Sequence, residues 1–471
     1  MYHAWRCFYG FCTIFCLLII LNACGQPAGN EVAAPSASTQ TVAPTQTVAP
    51  TGTGTGAAAM QTCPAPATAR SAVMPSITVG NHATIVYFSQ QSNDSSVLQR
   101  YDTVTSESQT ILQTQTTETN RTASLSPDGQ WVLLLSPLQG QSAIQLVRID
   151  GQHLQTLYCA PAEIRYALLS PDQRFVMFSQ VDQNYVGILY LLDMTTGKLH
   201  TELSPWQPNY PDILAQQPTA GTSFLLSSTL HGNTTGNLAA QQFNPLPSKS
   251  YPIYIPVKWA NNSVFLLATL NGSPAPPSQL ALLRDINKDA TQQQSNLQSI
   301  PITTASDVNF CYDIDVMPDN RQVVCSAYSI QGPAAYTNTI IMQSITGGTP
   351  RLLYHTTTGG TVSARVLSNS SIIFILNKPN YPAELWKINT DGSGLIQLMA
   401  AQTTDMGIDF AYASNLPWSI TSRDSTLYAI EDSSLTGNTQ SLIFGHLSGG
   451  PPKTFASNTT SLMLVGWTTY A

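Results

Sequence analysis

The chain predicts an all-β fold of the β-propeller class, a set of four-stranded blades, on three observations. A short hairpin signature recurs. Ser126-Pro127-Asp128-Gly129-Gln130-Trp131-Val132-Leu133-Leu134 comes back as Ser170-Pro171-Asp172-Gln173-Arg174-Phe175-Val176-Met177-Phe178, and again as Met317-Pro318-Asp319-Asn320-Arg321-Gln322-Val323-Val324. The first two copies lie roughly one blade length apart, and periods of about 40–50 residues built from short strands mark propellers. The elements between the copies are also of strand type, with turn residues separating apolar runs. Finally, each end of the repeat region holds a strand lacking a neighbour, residues 83–88 at one end and about 461–468 at the other. Pairing them removes two free sheet edges.

Taken in order, residues 1–24 precede the fold. Arg6 is followed by an uncharged apolar run that includes Leu17-Leu18-Ile19-Ile20 and ends in Leu21-Asn22-Ala23-Cys24. This is the pattern of an export signal. Its ending resembles the lipobox of bacterial lipoproteins, in which a small residue precedes a cysteine that becomes lipidated. The resemblance implies Cys24 as the lipidation site and a membrane anchor on the extracytoplasmic side. A retained transmembrane anchor is the alternative. Residues 25–72 read as a disordered tether rich in Pro, Thr, Ala and Gly, with Glu31 and Arg70 its only charges. Such a composition buries too little apolar surface to offset chain entropy. As a flexible coil it would span roughly 40 Å.

Residues 73–471 carry the blades. In each signature Pro presets the turn and Asp caps it, and the Val, Leu and aromatic run that follows is strand-forming. Degenerate copies are anchored near Leu214, Val257, Val366 and Ser422. Third strands ending in polar turns are seen at Ile144 to Asp150, Ile188 to Asp193 and Glu384 to Asn389. The 206–250 segment departs most, with Pro208, Pro211, Pro218, Pro245 and Pro247. Counted as a blade it gives eight; treated as an insertion it leaves seven. Eight is slightly favoured, with the C-terminal strand completing the first blade.

The Ser-Pro-Asp-Gly turn, its apolar strand and the Ile-Tyr-like strand ending in Asp or Asn resemble the TolB-type, WD-like propeller repeats of exported bacterial proteins. The resemblance implies protein–protein interaction at the cell envelope.

Composition narrows the function classes. Only 10% of residues are charged and the net charge is −7, with no basic cluster. Nucleic-acid binding is therefore not expected. There is no G-x-S-x-G elbow and no H-E-x-x-H pair, and the seven histidines are scattered. Asp285-Ile286-Asn287-Lys288-Asp289 has the opening spacing of a calcium loop, but Ala290 and Asn296 stand where Gly and Glu belong. It reads as a polar turn, and no metal or cofactor is expected. Asp313 and Asp315 alternate on a first strand and are the candidate channel-lining pair. Cys311 and Cys325 flank the Pro318-Asp319 turn, which puts them on neighbouring strands as a candidate disulfide. Buried free thiols are the alternative. Trp206 and Trp418 are weak candidates for a binding surface.

These readings lead to a non-enzymatic, lipid-anchored binding scaffold whose ligand is a protein, a peptide or a glycan. The alternative is an exported hydrolase or lyase with its site at the mouth of the central channel. A sensory ectodomain is a third possibility and would need a separate signalling partner.

Overall fold

The computed structural model describes residues 61–470 apart from internal segments, the longest being 203–212, 284–296, 301–309, 329–337 and 410–419, and for sheets 4 and 5 it describes mainly the strands and their register. The described residues belong to one compact unit, 53–471. Their strands form eight antiparallel sheets. Sheet 1 takes three strands from 82–115 and its fourth from Leu462–Tyr470. Sheets 2 to 8 follow in chain order at 123–160, 163–202, 213–245, 253–300, 310–356, 361–400 and 406–458. Each is four-stranded except sheet 5, which adds the short strand Ser273–Pro274. This is β-propeller architecture. The C-terminal strand pairs with His82–Ser92, Ile85 lying opposite Trp467. The proline-rich 206–250 segment contributes the whole of sheet 4, because its strands begin at Ile213 and Pro245 falls at the end of the last one.

The recurring signature is a closed hydrogen-bond module. The Ser126 amide donates to the Trp131 carbonyl (2.8 Å) and the Trp131 amide donates back to Ser126 Oγ (2.9 Å). The Ser126 hydroxyl donates to Asp128 Oδ1 (2.5 Å), which also accepts the Gln130 amide (3.0 Å). The same bonds recur around Ser170–Asp172 and around Ser422–Asp424. In the Met317 copy the backbone pair and the Asp319 cap survive without the serine. All four turns place their fourth residue in the left-handed region: Gly129 (φ +74°), Gln173, Asn320 and Ser425 (each +57°).

A second regularity lies on the outer strands. In sheets 1, 2, 6, 7 and 8 the pairing of the third and fourth strands skips one residue of the fourth strand, namely Ile111, Leu157, Leu353, Leu398 and Phe455. Each is an apolar β-bulge, and all but Phe455 are buried.

The core is a series of apolar layers between adjacent sheets. Trp131, Leu157, Val176 and Phe178 fill the layer between sheets 2 and 3, and Val324, Ile340, Ile372 and Phe374 the layer between 6 and 7. Tyr428 and Ile430 pack on Ile373 and Leu385 between sheets 7 and 8. Each fully buried large side chain contributes roughly 1.5–3 kcal/mol by removal from water. Among the described residues no helix is long and apolar enough to cross a membrane.

Candidate functional site

In each antiparallel sheet the turn between first and second strands lies at the same end as the turn between third and fourth strands, and these ends together make up the turn face. Their carboxylates cap backbone amides. Asp150 accepts the Gln152 amide (3.0 Å), Asp193 those of Thr195 and Thr196 (2.8 and 3.2 Å), and Asp391 that of Ser393 (2.8 Å). Burial pushes the Asp150 and Asp193 carboxyls up, but hydrogen bonds and a nearby arginine outweigh it and hold both below the ordinary carboxylate range. Asp424 is lowered chiefly by the Ser422 hydroxyl.

The chain approaches this face along a segment that the sequence reading assigned to the tether. Residues 61–78 lie as a strap across sheets 2 and 3, so the described part of the expected tether, 61–72, is bonded to the sheets. A disulfide joins Cys63 to Cys159, 96 residues apart. The Arg70 guanidinium gathers the carbonyls of Thr62 (2.8 Å), Cys63 (3.4 Å) and Thr156 (3.3 Å). The strap backbone then bonds to the sheets at intervals. The Arg70 amide donates to the Leu157 carbonyl (2.8 Å) and the Ala72 amide to that of Met194 (2.7 Å). Gln155, itself fully buried, pairs with both backbone groups of Val73, accepting its amide and donating to its carbonyl (2.9 Å each). The Ile77 amide donates to Gln130 (2.8 Å), and Arg148, paired with Asp150 at 2.7 Å, reaches the Pro75 carbonyl (3.4 Å). Ala69, Ala72 and Met74 pack into the layer between sheets 2 and 3. A Cβ at Gly197 (φ +69°) would lie 2.6 Å from the Ser71 amide nitrogen, so only glycine admits the strap backbone there.

The strap leads into His82–Ser92. His82 Nδ1 lies 2.8 Å from Asp102. Burial raises the Asp102 carboxyl, but His82 and the amides of Val104 and Thr105 bring it below its ordinary value. At the junction of sheets 8, 1 and 2, Arg423 donates to the Pro127 carbonyl (3.0 Å) and Thr468 to that of Gly129 (2.6 Å). A Cβ at Gly129 would lie 2.5 Å from the Arg423 guanidinium.

Asp313 and Asp315 lie on the first strand of sheet 6, Phe310–Val316, which packs against the first strand of sheet 7, Thr361–Ser368. They are committed to that contact. Asp313 pairs with Arg365 at 2.7 Å, and Asp315 accepts the amides of Val366 and Val316 (2.7 Å each). The two carboxylates therefore stitch one sheet to the next. Cys325, fully buried, is disulfide-bonded. The strands of Cys311 and Cys325 are neighbours as expected, with Cys311 opposite Ala327. The side chain of Cys311 lies outside the described residues, as do Cys24, Asp285 to Asp289, Trp206 and Trp418. Asp128, Asp172 and Asp319 are turn formers as expected. Among the described residues no three His, Cys, Asp or Glu side chains converge in a metal-binding arrangement. The sequence reading missed the strap, Arg365 and Arg423. The one signal for the strap was Cys63, an unassigned cysteine inside an otherwise low-complexity stretch.

No family model matches the chain, and no curated protein matches it. Solved structures do resemble it. A chain from a study of two prolyl endopeptidases and their inter-domain dynamics has a TM-score of 0.49 at 11% identity, covering 80% of this chain and 55% of its own length. The structure of a TolB homologue from Agrobacterium tumefaciens has a TM-score of 0.33 at 13% identity, covering 68% of this chain and 90% of its own. This chain thus spans just over half the length of the endopeptidase.

Proposed function

We propose that this chain is an exported, lipid-anchored propeller that binds a protein, peptide or glycan partner at the cell envelope and performs no chemistry on it. In this reading Cys24 carries the anchor, the sheets form a ring of eight blades completed by Leu462–Tyr470, and the face of tight turns presents the binding surface. The observation that carries the reading is the use made of charge. On the described turn face and on the sheet 6–7 junction, charged side chains are spent on capping turns and joining sheets, as in Asp313–Arg365, Arg148–Asp150, Arg174–Asp193 and His82–Asp102. Rigid turns with committed charges suit recognition by shape and neutral hydrogen bonding more than proton transfer.

The test is affinity capture from envelope extracts with the full-length protein, combined with mass spectrometry of its mature N-terminus. The expected results are one reproducible partner and a lipid-modified Cys24 at the start of the chain. A chain that still begins at Met1 would remove the lipid anchor. Turnover of a generic ester or glycan with no partner captured would replace the scaffold by the enzyme.

A further inference from the structure

The strap carries an inference that deepens the binding reading and rests on it. Three features distinguish its seat from an ordinary packed loop. The seat contacts main chain at about every second residue. Leu157, Met194, Gln155, Gln130 and Arg148 satisfy the backbone of Arg70, Ala72, Val73, Pro75 and Ile77, over a path in which no strap residue joins a strand. Gln155 binds the N–H and C=O of one residue together, as a neighbouring strand would, and is held fully buried to do so. Gly197 removes the one Cβ that would keep a backbone out. Side-chain selection is light by comparison: Ala72 and Met74 enter the apolar layer while Val73 between them is 51% exposed. Recognition of an extended main chain with pockets for alternate side chains is how sheet edges and grooves take peptides.

We propose that the groove across sheets 2 and 3 is a peptide-binding site, and that residues 68–77 are its resident ligand. The partner it accepts is an extended peptide with a small residue followed two positions later by methionine or a similar unbranched apolar side chain. The resident is favoured because it is tied at both ends, by Cys63–Cys159 and by continuity into His82–Ser92. Such double tethering gives it a high effective concentration, on the order of millimolar or more, against which a free peptide competes poorly. Exchange with an external dithiol, which is itself oxidised to a disulfide and leaves Cys63 and Cys159 as free thiols, removes one tether and lets the strap swing away from the groove.

The experiment uses the full chain and a fluorescein-labelled peptide of residues 68–78, read by anisotropy. Wild type is compared with the triple variant Cys63→Ser, Cys159→Ser, Met74→Asp, in which the strap is unstapled and carries a charge where the apolar layer lies. The variant is expected to bind the peptide at least tenfold more tightly than wild type, and the same peptide with Met74→Asp is expected to lose at least tenfold. A variant with the wild-type circular dichroism spectrum and a cooperative melt that binds neither peptide overturns the proposal. Should the variant not fold, hydrogen exchange on wild type decides. Treatment with a dithiol is expected to speed exchange at Arg70, Ala72, Val73 and Ile77 at least tenfold while Trp131–Leu138 and Phe175–Val181 stay protected. Loss of protection in strap and sheets together, or in neither, overturns it. Partner capture that persists while these tests fail leaves the scaffold reading standing and removes only the groove.

Discussion

The junction between sheets 2 and 3 and the junction between sheets 6 and 7 join neighbouring sheets by different chemistry. Between 2 and 3 an apolar layer is overlaid by a strap held by a disulfide, by neutral hydrogen bonds to a buried glutamine, and only in part by charged groups. Between 6 and 7 a similar apolar layer is closed at the first strands by two carboxylates, one on Arg365 and one on the Val366 amide. The first device is long in sequence and covalent; the second is short and electrostatic. Their stabilities should therefore respond to different perturbations.

The largest expected effect falls on the strapped junction. Removing the disulfide with Cys63→Ser and Cys159→Ser should cost about 4–5 kcal/mol, since the bridge joins residues 96 apart. Urea unfolding of wild type and variant measures it, and an unchanged midpoint would place the strap outside the cooperative unit. Gly197→Ala keeps the disulfide but sets a Cβ against the strap backbone at positive φ. About 2 kcal/mol should be lost, visible as a lower melting temperature; no loss would mean that the strap yields freely.

A third junction, between sheets 7 and 8, extends the comparison to a charge without a partner. Asp432 is 1% exposed, and neither of its oxygens has a hydrogen-bond partner among the described residues. Burial raises its carboxyl to about 6. With the folded value above the unfolded one, its contribution is present in full below about pH 4 and is lost as pH rises through about 6. Asp432→Asn should flatten that slope and leave the variant roughly 2–3 kcal/mol more stable than wild type at pH 7, relative to their difference at pH 4. Parallel melting curves across this range would contradict it. The smallest effect belongs to sheets 6 and 7. Asp313→Asn should cost about 1 kcal/mol in low salt and less in 1 M salt, because both partners keep some exposure. A cost that does not change with salt would make Asp313 a packing residue and erase the contrast with the strap.

What the sequence revealed of this molecule was its local part. The Ser126, Ser170 and Met317 turns were legible because the bonds that make them span five residues or fewer. The two terminal strands were legible because each lacked a neighbour, and His82–Ser92 does pair with Leu462–Tyr470. The prolines of 206–250 kept an insertion open as the alternative to a blade; those before Ile213 precede the first strand of sheet 4, and Pro245 occupies the last position of its outer strand. There a missing N–H costs least. The site contacts were not legible, because their partners are distant in sequence. Asp313 finds Arg365 52 residues away and Val73 finds Gln155 82 away. No local pattern announces either. Low-complexity composition hid the strap for the same reason: its order comes from the groove, not from its own residues.

The bulges on the outer strands carry a consequence for contact between copies of the chain. A fourth strand is a sheet edge, and a flat edge offers unpaired backbone groups to any extended chain it meets, including another copy of itself. In five sheets the edge is bent where Ile111, Leu157, Leu353, Leu398 or Phe455 turns inward. A bent edge does not template a straight strand. The residue that thickens the core between sheets also breaks the straight edge that in-register pairing needs, so one extra residue per strand serves both packing and edge protection.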